Sequence, residues 1–358
     1  KEKYFLMFLG YFFFIALLQT ATALNESCLN ECGLSPSLFV EPEEASFRSF
    51  GGTPVHVHAH PFSAIIHTKK EECDFYGRCS GVIISRNYVL TAQHCLEYSS
   101  VYLKECGLVE EDNGEIDERT ETFVPKDIIV YVGSSSIAEA KKKGDGFKVK
   151  KIKRYSASYV SGQHTFIDLA LLELQENLTF TASIRPICVA NDYVVERGER
   201  AFFTGYGQTT EPKSRPPAVG DKMLSSNNLN EVHINLASKK SCNKIYLRKD
   251  YICAGTRGRG LAPGDSGGGL HVFLNGRYFL IAIASFTTTI NNVTLNKSSL
   301  RKDLKPDVFT SMDAHCEWLE RKTNISCKST KSLMLPQKCL EEEEGYILSN
   351  QQQHFLEE

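Results

Sequence analysis

The sequence lacks a strong net charge of either sign. Its 358 residues include 41 lysines and arginines and 43 aspartates and glutamates, which gives a formal net charge of −2 at pH 7. Domains that bind nucleic acid through a general electrostatic field carry a clear basic excess. The charge balance excludes such a field, and we expect no nucleic-acid partner.

Long apolar runs are absent after the first 18 residues, which excludes a protein that crosses a membrane many times. The run from Tyr4 to Leu18 follows two lysines and precedes small residues that end at Ala23. This order predicts a secretory signal peptide over residues 1–23, cleaved after Ala23. A retained membrane anchor is the alternative, but the run is shorter than the roughly 20 residues that a spanning helix needs.

All twelve cysteines follow the predicted signal peptide. An even number of cysteines in an exported chain favours disulfides over metal thiolates, and we expect no metal or cofactor. Five Asn-x-Ser/Thr sequences are candidate glycosylation sites in the same compartment. These asparagines are Asn25, Asn177, Asn292, Asn296 and Asn324. Together these features predict a secreted, extracellular glycoprotein with no membrane contact after signal removal.

The chain also lacks an internal repeat and helices interleaved between strands. Its body instead contains many short runs of strand length, such as "SAIIH", "DIIVYVG", "DLALLEL" and "RYFLIAIAS", which are rich in β-branched and aromatic residues. This pattern indicates an all-β sandwich or barrel.

Two charged stretches interrupt this pattern: the acidic "KECGLVEEDNGEIDERTE" and a basic stretch over residues 141–154. We expect both to be solvated loops or edge strands. The alternative is that they are surfaces that steer substrates or bind a partner.

Three short motifs carry side chains suited to acyl transfer. Asp168 lies within the apolar run "FIDLALLEL", where a carboxylate needs a cationic or hydrogen-bonding partner. His94 in "LTAQHC" is a candidate partner and a base whose pKa suits neutral pH. Ser266 in "PGDSGGGL" is either part of a solvated turn or a nucleophile. A hydroxyl, a base and an acid that orients the base divide the work of acyl transfer.

The order of "LTAQHC", "DLALLEL" and "GDSGGGL" resembles the chymotrypsin-like (trypsin-family) serine proteases over about residues 51–319. The resemblance implies two antiparallel Greek-key β-barrels with a C-terminal helix, and a catalytic cleft between the barrels. It assigns catalysis to His94, Asp168 and Ser266. It also implies an oxyanion hole formed by the N–H groups of Gly264 and Ser266, and a role for Ser285 in holding the aspartate.

Domain boundaries follow from the resemblance and the composition. We expect a leader or pro-segment over 24–48 and a peptidase domain over 49–328. Within that domain the first barrel covers about 49–180, the second about 190–312 and the helix about 311–322. Residues 329–358 are expected to form a flexible polar tail.

The resemblance also implies three disulfides: Cys79 to Cys95, Cys242 to Cys253 and Cys32 to Cys188. Six cysteines stay open to fifteen pairings, and they are Cys28, Cys73, Cys106, Cys316, Cys327 and Cys339.

Activation by cleavage is a further implication of the resemblance. An activating protease would cut after Arg48, and the new amino group of Ser49 would pair with Asp265. However, Ser49 and Phe50 stand where aliphatic residues usually fill the pocket, and a poor fit of the inserted end would leave Asp265 without its ion pair. Loss of a buried ion pair costs roughly 3 to 5 kcal/mol, which is enough to disrupt an oxyanion hole.

The expected substrate pocket departs from the family pattern. Gly260 stands where trypsins carry an aspartate, and Ala262 replaces a usual cysteine. Asp307 takes the place of a pocket-lining glycine and is either a relocated carboxylate for basic side chains or simply solvated. Thr287 replaces a second glycine and narrows the entrance, while Ser285 presents its backbone to substrate.

"HVHAH" places His56, His58 and His60 at every second position, the spacing of side chains on one face of a strand. This spacing predicts a surface strand, and a zinc site is the alternative.

For the whole chain we expect a secreted serine endopeptidase with protein or peptide substrates, made as a zymogen. The alternative is an inactive homologue that serves as a protein-binding module. The sequence does not determine the oligomeric state.

Overall fold

The computed structural model describes residues 26–36, 52–70, 76–99, 120–144, 146–155, 158–160, 163–165, 167–210, 223–224, 226–246, 250–255, 259–287, 306–334, 336 and 338–339. Most of its regular structure is β-strand, which confirms the all-β prediction. The strands are β1 (Thr53–Pro54), β2 (Ser63–Lys69), β3 (Tyr76–Ile83), β4 (Tyr88–Thr91), β5 (Glu97–Ser99), β6 (Thr120–Thr122), β7 (Ile128–Val132), β8 (Phe147–Arg154), β9 (Ser158–Val160), β10 (Gln163–Thr165), β11 (Ala170–Leu174), β12 (Cys188–Asn191), β13 (Arg200–Gly205), β14 (Thr209–Thr210), β15 (Met223–Leu224), β16 (Asn230–Asn235), β17 (Tyr251–Ala254), β18 (Gly269–Leu274), β19 (Arg277–Phe286), β20 (Asp307–Ser311) and β21 (Lys328–Ser329).

Helices are short. The α-helices are α1 (Glu26–Leu29), α2 (Ile137–Lys143), α3 (Lys239–Tyr246) and α4 (Cys316–Thr323), and 3-10 helices include Val57–Ala59, Gln93–Leu96, Pro125–Asp127 and Asp313–His315. No α-helix within the described ranges has the length and apolar content needed to cross a bilayer.

The first half of the chain closes into an antiparallel barrel of six strands, in the order β11, β4, β3, β2, β7 and β8. Side chains alternate along β7, so that Ile128, Val130 and Val132 are buried while the residues between them are less so. This alternation is what a strand with one face on a core requires. The first predicted barrel is therefore a closed ring around its own apolar core.

The second half forms a nine-stranded sheet that runs β1, β16, β13, β18, β19, β12 and β21, with β20 pairing β19 and β17. Its pairs are antiparallel except for β12, which lies parallel to β19 and to β21. Within the described residues this sheet curls around a second core but does not close into a ring.

A third apolar cluster joins the two halves. It combines Leu90 and Leu171 of the first barrel with Leu280 and Ile283 of β19, and with Trp318 of α4. Because β19 has neighbours on both faces, nearly all of its ten residues are buried. This shared core fixes the cleft between the two halves, where the candidate site lies.

Three local expectations need correction. The basic stretch over 141–154 is not a loop or an edge strand, because its second part forms β8, which pairs on both sides within the barrel. Helix α4 begins at Cys316, later than the predicted residue 311, since Ser311 still pairs in β20 and Asp313–His315 is a 3-10 turn.

The surface strand expected for "HVHAH" is also wrong. Val57–Ala59 forms a 3-10 helix that buries Val57, with Nδ1 of His56 accepting a hydrogen bond from the His58 N–H at 3.3 Å. His60 is completely buried, and its Nε2 contacts the Glu231 carboxylate. The three histidines therefore do not share one strand face.

Disulfides connect Cys79 to Cys95, Cys242 to Cys253 and Cys32 to Cys188, and also Cys28 to Cys339 and Cys316 to Cys327. The bond between Cys28 and Cys339 spans 311 residues and ties the N-terminal segment to the C-terminal segment.

Several residues named in the sequence analysis lie outside the described residues. They are the signal peptide, Asn25, Arg48, Ser49, Cys73, Cys106, Asn292, Asn296 and residues 340–358.

We predict that cleavage after Arg48 leaves two polypeptides that stay together until they are reduced. Cys28 and Cys32 precede the cut, and each is bonded to a cysteine that follows it. Limited digestion with trypsin should therefore release the fragment that ends at Arg48 only on a reducing gel. A double variant, Cys28→Ser with Cys32→Ser, should release the same fragment without reductant. Release from the unmodified protein without reductant would contradict this connectivity.

Candidate active site

The barrel register brings His94 and Asp168 together. Ala170 of β11 pairs with Thr91 of β4, so the residues just before β11 lie beside those just after β4. His94 belongs to the 3-10 helix Gln93–Leu96, which directly follows β4. Asp168 Oδ1 accepts a hydrogen bond from the His94 N–H at 2.9 Å, and Asp168 Oδ2 lies 2.7 Å from His94 Nδ1. One carboxylate therefore fixes both the backbone and the ring of His94.

The second half of the chain completes this contact. The hydroxyl of Ser285, on β19, donates a hydrogen bond to Asp168 Oδ2, and the hydroxyl of Thr310, on β20, donates to the Asp168 carbonyl at 3.3 Å. Asp168 is only 4% exposed, whereas the His94 side chain is 39% exposed. The imidazole is thus anchored on its Nδ1 edge and open to the cleft.

The electrostatics of the pair favour an ionised carboxylate. Burial alone would raise the pKa of Asp168, but the hydrogen bonds and charge of His94, with the Ser285 hydroxyl, outweigh it and lower that pKa. Burial would likewise lower the pKa of His94, but Asp168 outweighs it and raises that pKa above the ordinary value. A histidine held in this way is a stronger base than a free imidazole.

Ser266 lies in the loop that leads into β18. Four successive carbonyls of this loop, those of residues 263–266, accept hydrogen bonds. Ser80 donates to two of them: its hydroxyl to the Gly264 carbonyl at 2.9 Å and its N–H to the Ser266 carbonyl at 2.8 Å. The Pro263 carbonyl accepts from the Gln208 N–H at 2.8 Å, and the Asp265 carbonyl accepts from the Gly268 N–H at 2.9 Å. The N–H groups of Asp265, Gly267 and Gly268 also have backbone acceptors. Within the described part of the chain, the N–H groups of Gly264 and Ser266 have no acceptor, so both are free to bind an anion.

The backbone conformation of this loop requires glycine at two positions. Gly264 has φ +94° and Gly267 has φ +82°, which side chains of L-residues rarely allow. A Cβ on Gly267 would also overlap the Thr91 hydroxyl and the Ser80 carbonyl of the first barrel. These glycines let the loop turn and approach the first barrel closely.

The loop that carries Ser266 lies close to the segment just before His94, because a Cβ on Gly267 would lie 3.0 Å from the Ala92 nitrogen. No hydrogen bond between the Ser266 hydroxyl and the His94 ring occurs among the described side chains. Such contacts are often long in unliganded sites and shorten when substrate binds.

Cys79, His94 and Cys95 place one potential metal-ligand atom each within 4.8 Å of one another, but both sulfurs are consumed by the Cys79–Cys95 disulfide. This group is therefore a covalent brace beside His94 and not a thiolate metal site.

Asp265 is buried beneath the loop. Its Oδ1 accepts from the Gly207 N–H at 2.8 Å and its Oδ2 accepts from the Ala262 N–H at 2.9 Å. Burial raises the pKa of Asp265 to about 7 and Asp307 adds to the effect, against the two N–H groups and the charge of Arg78. The negative charge of Asp265 is thus incompletely compensated in the described part of the chain.

The expected pocket residues lie together. Asp307 is 4% exposed, and its Oδ2 accepts from the Leu261 N–H at 2.8 Å. A Cβ on Gly260 would overlap the same carboxylate oxygen, so the Asp307 carboxyl group fills the space beside Gly260. Burial raises the pKa of Asp307 to about 6, although the Thr287 side chain and the Leu261 N–H act in the opposite direction. The reading of Asp307 as a solvated loop residue is therefore wrong.

Sequence reasoning did not single out Ser80, which contacts this loop through both its amide and its hydroxyl. Ser80 is 1% exposed and lies in "CSGVIIS", where a small residue on a strand gives no functional signal.

Of the candidate glycosylation sites within the described residues, Asn177 and Asn324 are both exposed.

The fold and these contacts define the chymotrypsin-like class of serine proteases. A family model described as Trypsin matches residues 49–318, and the chain therefore belongs to the trypsin family. Chymotrypsin-like elastase family member 1 of Homo sapiens is 25% identical over 281 residues, which cover 77% of this chain and 92% of that protein. The protein of the same name from Felis catus is 26% identical over 282 residues, which cover 77% and 90%.

A longer relative covers a similar region. Vitamin K-dependent protein C of Rattus norvegicus is 25% identical over 311 residues, which cover 82% of this chain but 57% of that protein. The shared region thus makes up most of the elastase relative but little more than half of the longer one.

We predict that the Asp265 carboxyl group makes the uncleaved protein less stable as pH rises. Its pKa is about 7 in the folded state and 3.8 as the reference value, so the folded state binds the extra proton between these values. The free energy of unfolding should then fall by about 1.4 kcal/mol per pH unit from about pH 5 to about pH 7 and level off above. Urea unfolding of the protein and of Asp265→Asn across this range measures the difference.

The neutral Asp265→Asn variant should lack this component of the pH dependence. Equal slopes for the two proteins would show that Asp265 is already ionised at acidic pH and would contradict the prediction.

Proposed function

We propose that the protein is a secreted serine endopeptidase that hydrolyses peptide bonds through an acyl-enzyme. The observation that carries this proposal is the anchored His94–Asp168 pair facing a loop with two free N–H groups, at Gly264 and Ser266. A base and an anion site on opposite sides of a serine are the groups that acyl transfer needs.

In the proposed first step, the Ser266 hydroxyl oxygen attacks the carbonyl carbon of the substrate while His94 Nε2 takes the hydroxyl proton. The carbonyl oxygen becomes an anion that accepts hydrogen bonds from the N–H groups of Gly264 and Ser266. Loss of one such donor typically costs about 2.7 to 4 kcal/mol of transition-state stabilisation. His94 then gives its proton to the leaving amine, and the C–N bond breaks.

Water completes the cycle. His94 removes a proton from a water molecule, whose oxygen attacks the acyl carbon, and the ester bond to Ser266 breaks as His94 returns the proton to it. Asp168 stays ionised throughout and holds the ring with Nδ1 as donor, which agrees with its lowered pKa.

Secretion and activation belong to the same proposal. The five disulfides among the described residues support an oxidising compartment, and the predicted signal peptide agrees with it. We propose that an activating protease cuts the zymogen after Arg48. The buried and incompletely compensated carboxylate of Asp265 supports this step, because the ammonium group of Ser49 would supply the missing positive charge.

A fluorophosphonate probe tests the proposed function directly. The purified protein is treated with trypsin, cleavage after Arg48 is verified by mass spectrometry, and the probe is added. We expect covalent labelling of one serine, and no labelling of Ser266→Ala, because only an activated hydroxyl attacks the phosphorus atom.

Absence of labelling after verified cleavage would favour the alternative function, an inactive homologue that binds a protein partner through the same fold. The specific observation in favour of that alternative is the presence of Ser49 and Phe50 where aliphatic residues usually fill the activation pocket.

We further propose that the enzyme prefers substrates with lysine or arginine before the scissile bond. The buried carboxyl group of Asp307 fills the space beside Gly260, and its Oδ1 has no hydrogen-bond partner among the described residues. A buried acceptor without a partner is stabilised when a cationic donor enters.

We predict that Asp307→Asn abolishes the preference for a basic side chain. The parent enzyme should cleave a lysine substrate at least about tenfold faster than its neutral norleucine analogue, with kcat/KM as the measure, since a charged hydrogen bond contributes about 1.5 to 3 kcal/mol. The ratio should increase as pH rises through about 6, where Asp307 ionises. In Asp307→Asn the ratio should approach one and lose its pH dependence. An unchanged ratio in the variant would show that Asp307 does not read the substrate.

A further inference from the structure

Ser80 connects the two halves of the molecule at the loop that carries Ser266. Its N–H donates to the Ser266 carbonyl at 2.8 Å and its hydroxyl donates to the Gly264 carbonyl at 2.9 Å. The same hydroxyl oxygen accepts from the Tyr206 N–H at 2.9 Å. Ser80 lies on β3 of the first barrel, whereas these three partners belong to the second half of the chain.

These partners fix the direction of the hydroxyl proton. A serine hydroxyl has one proton to donate and can accept from other groups. Since Tyr206 N–H acts as donor, the proton of Ser80 is directed to the Gly264 carbonyl. Ser80 is 1% exposed, so water does not replace either bond easily if the hydroxyl is removed.

Two hydrogen bonds restrain the peptide groups on either side of Gly264. The Pro263 carbonyl accepts from the Gln208 N–H at 2.8 Å, which holds the peptide group that contains the Gly264 N–H. Because that peptide group is planar, its N–H points away from the bound carbonyl. Ser80 holds the next peptide group through the Gly264 carbonyl. Gly264, at φ +94°, would otherwise rotate readily because it has no side chain.

Ser80 and Asp265 act on the same two segments. Ser80 accepts from the Tyr206 N–H and Asp265 accepts from the adjacent Gly207 N–H. Ser80 also donates to Gly264, while Asp265 accepts from Ala262 within the same loop. The hydroxyl is neutral, so this support is independent of the charge that affects Asp265.

We propose that Ser80 is a positioning residue whose hydroxyl, by holding the Gly264 carbonyl, prevents rotation at Gly264 and so keeps the Gly264 N–H directed into the oxyanion hole. This inference rests on the proposed function, because it assigns a purpose to that N–H. Ser80 touches neither the substrate nor the reacting atoms, and it acts through the Gly264 carbonyl.

Ser63 provides a matched control. Its hydroxyl lies 3.2 Å from the Thr204 hydroxyl, and both side chains are buried between the two halves of the chain. Ser63→Ala therefore removes a buried hydroxyl contact between the halves without touching the loop. Ser80→Ala removes a contact of the same kind that does touch it.

The test compares Ser80→Ala, Ser63→Ala and the parent after verified cleavage at Arg48. The burst of p-nitrophenol from p-nitrophenyl acetate gives the number of active sites and the acylation rate constant at each site. We expect that rate constant to be about tenfold lower in Ser80→Ala, equal to the parent in Ser63→Ala and restored towards the parent in Ser80→Thr. Equal rate constants for the two alanine variants would overturn the proposal.

Hydrogen–deuterium exchange gives a readout that does not need activity. Amides in the loop over residues 261–268 should exchange at least about tenfold faster in Ser80→Ala than in Ser63→Ala, because the loop loses an anchor. If the parent gives no burst, the proposed function fails, and faster exchange confined to this loop still supports the positioning role. Equal exchange in the two variants overturns that role whether or not the parent is active.

Discussion

The buried carboxylate of Asp168 is the interaction on which the arrangement of the candidate site depends. Burial opposes its charge, so the carboxylate must receive enough hydrogen bonds to stay ionised. His94 supplies two from the first barrel and Ser285 supplies one from the second half of the chain. The Ser285 bond forms only when the two halves pack together. Packing of the shared core therefore completes the set of hydrogen bonds that keeps Asp168 ionised and orients the imidazole.

The sequence predicted those parts of the molecule that depend on local pattern or on a single unusual residue. Alternating apolar runs predicted the strands, and a carboxylate in an apolar run identified Asp168 as a residue that needs a partner. The resemblance supplied the roles expected of His94, Asp168 and Ser266 and the arrangement of the strands in two barrels. The trypsin-family match over residues 49–318 agrees with that resemblance.

Features that depend on distant contacts could not be predicted in the same way. Ser80 has a role only because the Gly264 carbonyl, 184 positions away, lies beside it in the folded chain. The disulfide between Cys28 and Cys339 joins residues 311 positions apart, and the spacing of the cysteines gives no hint of it. In "HVHAH" the alternation of histidines suggested a strand, but burial of Val57 is satisfied by a 3-10 turn instead.

The two buried carboxyl groups of the second half connect the substrate pocket to the loop. The charge of Asp307 raises the pKa of Asp265, so ionisation of either group opposes ionisation of the other. A cation that compensates Asp307 in the pocket removes part of this repulsion and favours the charged form of Asp265. The charged form accepts the hydrogen bonds of Gly207 and Ala262 that hold the loop. By linkage, a well-ordered loop favours an ionised Asp307 to the same extent, so binding of a cation beside Asp307 and order of the loop over residues 261–268 are thermodynamically coupled.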